Sequence, residues 1–482
     1  MPGNVVAVGG YLPLLRIERK LLAKELAWSG LGMPRAGCRA VAGWDEDALT
    51  MAVEAARSLV AGDAEAAPAA LRFASTSAYF TDRAQSGIAL DALALPRTVR
   101  ATDLANSRRA GTSALLDALL AGTDELVVAA EKRPTQAGSS AQAGYGDGAA
   151  AARTGNGTGT AGGARLLGHA ALTHDIVDRY TSRDHPTPYA YEERFVRDVT
   201  VAQILLPAVR AALDAAGVTA DRIAQVACAE PVSGCWKSVA GKLKIAAPNH
   251  CEAVTEQAGD LGAAHALFGF ALALAAAVPG ELVLLVGFGG GADALVFEVV
   301  SPVAGAADVA ALLEEGQALT SITRFLSLVG EVSLDWGMRS EFEQKAQATA
   351  LERVGHDMIG FIGGRDSTGN VQFPKSAYPV NPALTEPEQM TDVRLAELQA
   401  KVVSITADRL NFSPDPPFDF GLVQFDNGAR VLMEMVDRPA TGFAVGDAVR
   451  MRLRVKSQHA RLGFRTYFWK AAPIARPKLG DA

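Results

Sequence analysis

No cysteine lies between Cys38 and Cys228 of this 482-residue chain, and none follows Cys251. The four present, Cys38, Cys228, Cys235 and Cys251, are scattered without a CxxC pair. That pattern fits unpaired thiols in a reducing cytoplasm. Aromatic residues are few, at 6%, too few for a stacking platform. No basic patch stands against the net charge of −7, so nucleic acid is not an expected partner, and the negative charge reads as a solubility feature. Long apolar runs free of soluble character are missing too. Gly262–Val278 is Ala-rich and contains His265, which reads as a buried helix rather than a membrane span. Met1-Pro-Gly-Asn-Val-Val has no charged leader and enters a strand directly, so no signal peptide is expected.

What the chain does have is an internal duplication. Leu71–Ser75 reads as a short apolar strand, Ser107–Leu120 as a helix and Glu125–Ala130 as a second strand. The series returns as Ile223–Cys228, Gly262–Ala277 and Glu281–Val286. An Ala-rich helix precedes each unit, Met51–Val60 and Val201–Ala216. Repetition of this kind fixes architecture, here two fused α/β halves with buried, mostly parallel strands. Ligands in such folds sit where strand ends meet helix starts.

Elsewhere, Val5–Pro13 reads as a strand and Ile17–Trp28 as a helix. The acidic residues of Trp44–Thr50 suit the start of the helix that follows. Gly144–Gly148 reads as a tight loop entering a short strand or helix, and Gly155–Gly163 as a flexible insertion. The stretch 173–197 is polar and aromatic, with Asp175, Arg179, Tyr180, Arg183, His185, Tyr189 and Tyr191. Ala306–Ala350 reads as amphipathic helix without strands. Beyond Ile359, Ala400–Thr406, Phe420–Phe425, Arg430–Met435 and Ala448–Arg454 read as strands, with a hairpin turn at Asp426-Asn-Gly428. Their spacing suggests a small closed barrel.

Gly9-Gly-Tyr-Leu-Pro13, Trp44–Ala48, Arg109–Ala114, Gly148–Ala151 and Gly287-Phe-Gly-Gly-Gly291, in this order and spacing, resemble the hydroxymethylglutaryl-CoA synthase branch of the thiolase superfamily. Asp415-Pro-Pro417, the late strands and Tyr467–Lys470 resemble the zinc-ribbon/OB-fold proteins that accompany thiolase-like enzymes. The resemblance implies an α/β fold of duplicated α/β/α/β/α layers, then a helical linker and a small OB-type barrel. The expected divisions are 1–168, 169–302, 303–355 and 356–482. It also implies coenzyme A thioesters as ligands, carbon–carbon bond chemistry, and a homodimer or a heteromer with an active thiolase.

The chain departs from the family where the chemistry should be. The resemblance places an acyl-carrying cysteine at the start of the first central helix, where the helix terminus favours a thiolate. That position is Arg108. The family's glutamate falls on Thr76, its histidine on Ala229, its asparagine on Asp260 and a second thiolase cysteine on Gly287. The stretch matching the zinc ribbon, from Gly364, has no cysteine, and His356 and His459 cannot supply four ligands, so no zinc is expected.

Arg108 becomes the residue to explain. A cation at a helix start opposes the dipole by ~0.3–1 kcal/mol and calls for a nearby anion. Two readings stay open: an ion pair with Asp260, or a ligand carboxylate, oxyanion or phosphate. Asp260 reads either as a general base, if burial raises it, or as a helix cap. Thr76 and Ser77 can donate to a carbonyl or cap a strand end. Glu230 is a candidate base or an exposed loop residue. Cys228 reads as core, and Cys235 as a nucleophile candidate without a histidine partner. His250 and His265 lack ligand spacing. Gly289 and Gly290 let backbone approach an acyl oxygen, or simply turn the chain. Trp236, Lys237, Lys242 and Lys244 can meet CoA phosphates or lie on the surface. The expected activity is acyl-CoA carbon–carbon chemistry without a cysteine acyl-enzyme, in a partnered complex. The alternatives are a non-catalytic thiolase-like/OB scaffold subunit and an ordinary synthase-type acyltransferase.

Overall fold

The computed structural model describes residues 2–60, 67–155, 162–190, 192–335, 348–459 and 463–475. The proposed insertion at Gly155–Gly163 falls mostly outside the described residues, as do Tyr191 and the side chain of His459. Two compact units emerge, 1–43 with 47–90 and 96–332, and 44–46 with 91–95 and 333–482.

The first unit is built on a nine-stranded sheet. Its strands are β1 (Asn4–Tyr11), β2 (Ala70–Ala74), β3 (Arg100–Leu104), β4 (Glu125–Glu131), β5 (Gly148–Gly155), β6 (Ala164–Thr173), β7 (Ile223–Cys228), β8 (Leu282–Phe288) and β9 (Gly291–Val299). Their order is β7-β8-β9-β6-β1-β5-β4-β2-β3. The halves meet where Asn4 and Val5 pair with Arg165 and Ala164. Each half reads strand, helix, strand as expected, but most pairs are not parallel. Only β2 with β3, β2 with β4, and β7 with β8 are, because β4 and β8 are each followed by an antiparallel partner, β5 and β9. Among the described residues the second half also lacks an edge strand. The counterpart of β3 shrinks to a single bridge, Val226 to Asn249.

The helices α1 (Ala48–Ala56), α2 (Ala110–Ala121), α3 (Leu206–Ala216) and α4 (His265–Ala276) repeat in the same sense. Asp47 caps α1 in a reciprocal box with Thr50, as the acidic run suggests. α2 and α4 form the middle layer. α2 packs on β2 and β4 of its own half and on β8 and β9 of the other, and it touches α4. Small residues permit this closeness: a Cβ on Gly111 would sit 2.3 Å from the Ala263 carbonyl oxygen, and one on Gly287 would sit 2.0 Å from Thr112 Oγ1.

Gly144–Gly148 enters a strand rather than a helix, with its alanines paired on both sides to β1 and β4. Ile17 belongs to a strand, Leu15–Glu18, and helix begins only at Arg19. The stretch from Ala306 is not purely helical, since Gln317–Ala318 pairs with Leu15–Arg16. Gly262–Ala276 is buried helix. The run Glu193–Ala216 is the one among the described residues long and apolar enough to cross a membrane, and 50% of its most apolar window is buried inside the fold. It places Ile204, Leu205, Ala208 and Val209 against a core shared with β7 and β8.

In the second unit, Ile362–Arg365, Val371–Gln372 and Thr391–Arg394 form a three-stranded sheet. Asp366 Oδ1 closes its turn, accepting from Thr368 N, Thr368 Oγ1 and Asn370 N. A six-stranded antiparallel sheet follows, with strands Ala400–Val402, Thr406–Asp408, Phe418–Phe425, Arg430–Glu434, Ala448–His459 and Phe464–Pro473. Asp426-Asn-Gly428 turns the expected hairpin, with Gly428 at φ 87°. A bridge from Met435 to Ala471 brings the ends of the sheet together. This is a small β region after a large α/β body.

Candidate functional site

The start of α2 is held against the turn joining β8 to β9. Ser107 Oγ donates to Gly289 O at 2.9 Å, and a Cβ on Gly289 would meet Arg108 N at 2.9 Å. The Gly289 N–H is already engaged by Gly291 O at 3.0 Å, so it does not face an acyl oxygen. Gly290 holds a left-handed φ of 58°, and its carbonyl accepts from His174 N. Arg109 is bonded through both terminal nitrogens. It donates to Leu172 O at 2.8 Å, Asp293 Oδ1 at 3.4 Å and Thr173 Oγ1 at 3.3 Å. Arg108 is different. It pairs through Nη2 with Asp178 and lies 5.5 Å from the Phe288 ring centroid. Burial pulls its guanidinium down to about 9; Arg179 adds to that and Asp260 opposes it, so it stays charged at neutral pH.

The expected direct pair between Arg108 and Asp260 is therefore not made, because Asp178 takes the arginine. Asp260 is claimed from elsewhere. Its Oδ2 accepts from Arg133 Nη1 at 3.3 Å and Arg179 Nη2 at 3.1 Å. Its Oδ1 accepts from Gly262 N two residues on at 2.8 Å, a local turn bond; the helical turn that follows starts at Leu261, so Asp260 is not its cap. Tyr145 lies beneath both arginines, with its ring centroid 3.7 Å from Arg133 Cζ and 4.8 Å from Arg179 Cζ. Burial alone would raise the Asp260 carboxyl. Arg133 and Arg179, with weaker help from His265 and Arg108, outweigh it and hold the group well below the ordinary range. The condition for a general base, a raised carboxyl, is reversed: Asp260 is a fixed anion.

Thr76 and Ser77 face a carboxylate that the sequence gives no reason to single out. Glu131, at the end of β4, is fully buried. Its Oε1 accepts from Thr76 N at 3.0 Å, Thr76 Oγ1 at 2.9 Å and Ala263 N at 3.2 Å. Its Oε2 accepts from Ser77 Oγ at 2.5 Å. Glu131 thus pins the end of β2 to the turn that starts α4, and the Thr76 and Ser77 hydroxyls point to it rather than to a ligand carbonyl.

Comparison with known proteins adds the following. No family model matches the chain. A hydroxymethylglutaryl-CoA synthase of Pyrobaculum arsenaticum is 28% identical over 316 residues, 63% of this chain and 89% of that protein. An HMG-CoA synthase solved with CoA superposes with a TM-score of 0.57 at 16% identity, over 72% of this chain and 95% of its own. The HMG synthase of the curacin biosynthetic pathway gives 0.56 at 17%, over 68% and 88%. The 3-oxoacyl-(acyl carrier protein) synthase III of Pseudomonas aeruginosa PAO1 gives 0.51 at 22%, over 63% and 99%. The chain shares the fold of these synthases.

In this thiolase-like body, the remaining candidates do not converge on Arg108. Glu230 is neither an exposed loop residue nor a free base. It caps the helix Cys235–Leu243, accepting from Gly234 N at 3.1 Å and Trp236 N at 2.6 Å. Burial raises its carboxyl, and those backbone donors oppose the shift. Trp236 is buried in the core and cannot reach a phosphate, whereas Lys237 is exposed. Burial pushes the Cys235 thiol up to about 11, with Glu230 adding to it, and raises Cys38, Cys228 and Cys251 as well. None of the four is poised as a thiolate. His265 is a core residue. Its Nδ1 accepts from Leu261 N, its Nε2 meets Thr255 Oγ1 at 3.1 Å, and burial keeps it neutral. His250 bonds Gln225 at 2.8 Å. Among the described residues no group of three or more His, Cys, Asp or Glu is placed to hold a metal.

Proposed function

We propose that the thiolase-like body binds an acyl-CoA thioester and takes part in making or breaking a carbon–carbon bond without a cysteine acyl-enzyme, in company with a partner subunit. One observation carries this reading. A guanidinium paired with Asp178 occupies the helix start where the resemblance puts the reactive sulfur, and every thiol in the chain is shifted away from its nucleophilic form. The HMG-CoA synthase-like fold supports the acyl-thioester part, although fold alone does not assign a reaction. The closed-up β sheet of the second unit supports an OB-type reading for it.

A second reading, a non-catalytic scaffold, is favoured by the counterions already in place on Arg108 and Asp260. Both readings are tested with the purified full chain and a series of acyl-CoAs, alone and mixed with an active thiolase. Turnover alone that disappears in Arg108→Ala is expected for the enzyme. Activity only in the mixture identifies the scaffold. A stable acyl adduct on any cysteine, read by intact mass, overturns both.

A further inference from the structure

Thr76 stands just beyond the end of β2 and is exposed, at the position where the resemblance puts a glutamate. A hydroxyl has one hydrogen to donate and two lone pairs. Thr76 gives its hydrogen to Glu131 Oε1 at 2.9 Å, and among the described residues nothing donates to Thr76 Oγ1, so its lone pairs stay open. Ser77 differs. It donates to Glu131 Oε2, but its oxygen already accepts from Lys132 N at 2.9 Å. The carboxylate cannot turn away from Thr76, because the Thr76 and Ala263 N–H groups hold the same Oε1. An open hydroxyl oxygen, a base on its hydrogen and groups that orient the base make up the constellation of covalent catalysis. It adjoins the arginines of the candidate site. A Cβ on Gly262 would fall 3.0 Å from Glu131 Oε1 and 3.1 Å from Arg133 Cζ, and Arg133 reaches Asp260 at 3.3 Å. Arg133 Nε, buried with no partner among the described residues, is a charged donor beside the pair.

We infer that Thr76 is an acyl acceptor, with Glu131 as its general base. Thr76 Oγ1 attacks the carbonyl carbon of the thioester while its hydrogen passes to Glu131. A C–O bond forms and the C–S bond breaks. The coenzyme A sulfur leaves as a thiol, taking up in net the proton given to Glu131. The products are a threonine ester and free CoA, and nothing is oxidised or reduced. Ser77 and the Ala263 N–H act as positioning groups on the base. The inference rests on the acyl-thioester reading above.

The test mixes the full chain with acetyl-CoA, quenches in acid and reads the product by intact mass and peptide mapping. One acetyl group on Thr76 is expected, with an equal amount of CoA released. Thr76→Ser should keep the label at that position, and Thr76→Val should lose it. Glu131→Gln should label about a hundredfold or more slowly, the scale of a lost general base. Glu131 is buried, so that variant can fail to fold; the exposed Thr76→Val tests the inference without it. Binding of acetyl-CoA in isothermal titration calorimetry with no label on Thr76 overturns the inference and leaves the acyl-thioester reading standing. Labelling at the parent rate in Thr76→Val, or in folded Glu131→Gln, does the same. A label on a cysteine overturns both, as does the absence of binding.

Discussion

Among the described residues Arg109 donates to Leu172, Asp293 and Thr173, whereas Arg108 donates to Asp178. Sequence reasoning reaches Arg108 and Asp260 because a charge replaces a catalytic residue type at each position. It does not reach Asp178, Arg133, Tyr145 or Glu131. Asp178, Arg133 and Tyr145 come from polar or Gly-rich stretches with no periodicity, and only the fold brings them, and Glu131 at the end of an apolar strand, within bonding distance. Glu131 leaves one trace, a carboxylate as the seventh and last residue of β4, and that trace is equally what a strand end looks like. The arrangement makes a pH prediction. Asp260 has a depressed folded value, so its contribution to stability is present above the unfolded carboxyl value of about 4 and is lost as pH falls through the folded one. Asp260→Asn should therefore unfold at lower urea than the parent at pH 7. The gap should narrow steadily below about pH 4. A gap constant with pH would mean that the charge on Asp260 adds nothing.

At the scale of elements, the duplication is legible because buried strands and central helices are long apolar stretches in matching order. Strand direction is not. β5 and β9 are covered on both faces like parallel strands, so their composition hides their antiparallel pairing. The missing edge strand of the second half is equally silent, since Asn249 begins a helix cap and forms only one bridge. The two central helices set the spacing of everything at their starts. Gly111 lies where a methyl group would meet the backbone oxygen of Ala263, which cannot swing aside as a side chain can. Gly111→Ala is expected to cost about 1–3 kcal/mol in urea unfolding, despite alanine's better helix propensity. It should also weaken acyl-CoA binding by moving Arg108 relative to Asp260. A neutral or stabilising effect would show that the helices can part without loss.

For the molecule as a whole, composition separates a large α/β body from a β-rich end, but it does not show that the second unit gathers residues from far upstream. Trp44–Glu46 belong to that unit. There Lys470 Nζ bonds Asp45 Oδ2 at 3.0 Å and Glu434 Oε2 at 2.8 Å, and Arg454 lies 3.2 Å from Glu46 and 3.1 Å from Asp437. Both cations are 1% exposed, so losing an anion leaves charge in the interior. Asp45→Ala should cost about 3 kcal/mol, measured by urea unfolding, and Lys470→Met in the same chain should restore much of it. An unchanged midpoint in Asp45→Ala would show that Glu434 suffices. One last feature bears on how salt acts on the body. Asp178 and Arg179 are consecutive, and each faces a partner of opposite sign. Residues 174–190 as a whole carry Asp175, Asp178 and Asp184 against Arg179 and Arg183, a net charge of −1. Uncovering Arg108 would break the pairs Arg108–Asp178 and Arg179–Asp260, and because these side chains are largely shielded from water, added salt would loosen them less than it loosens exposed pairs.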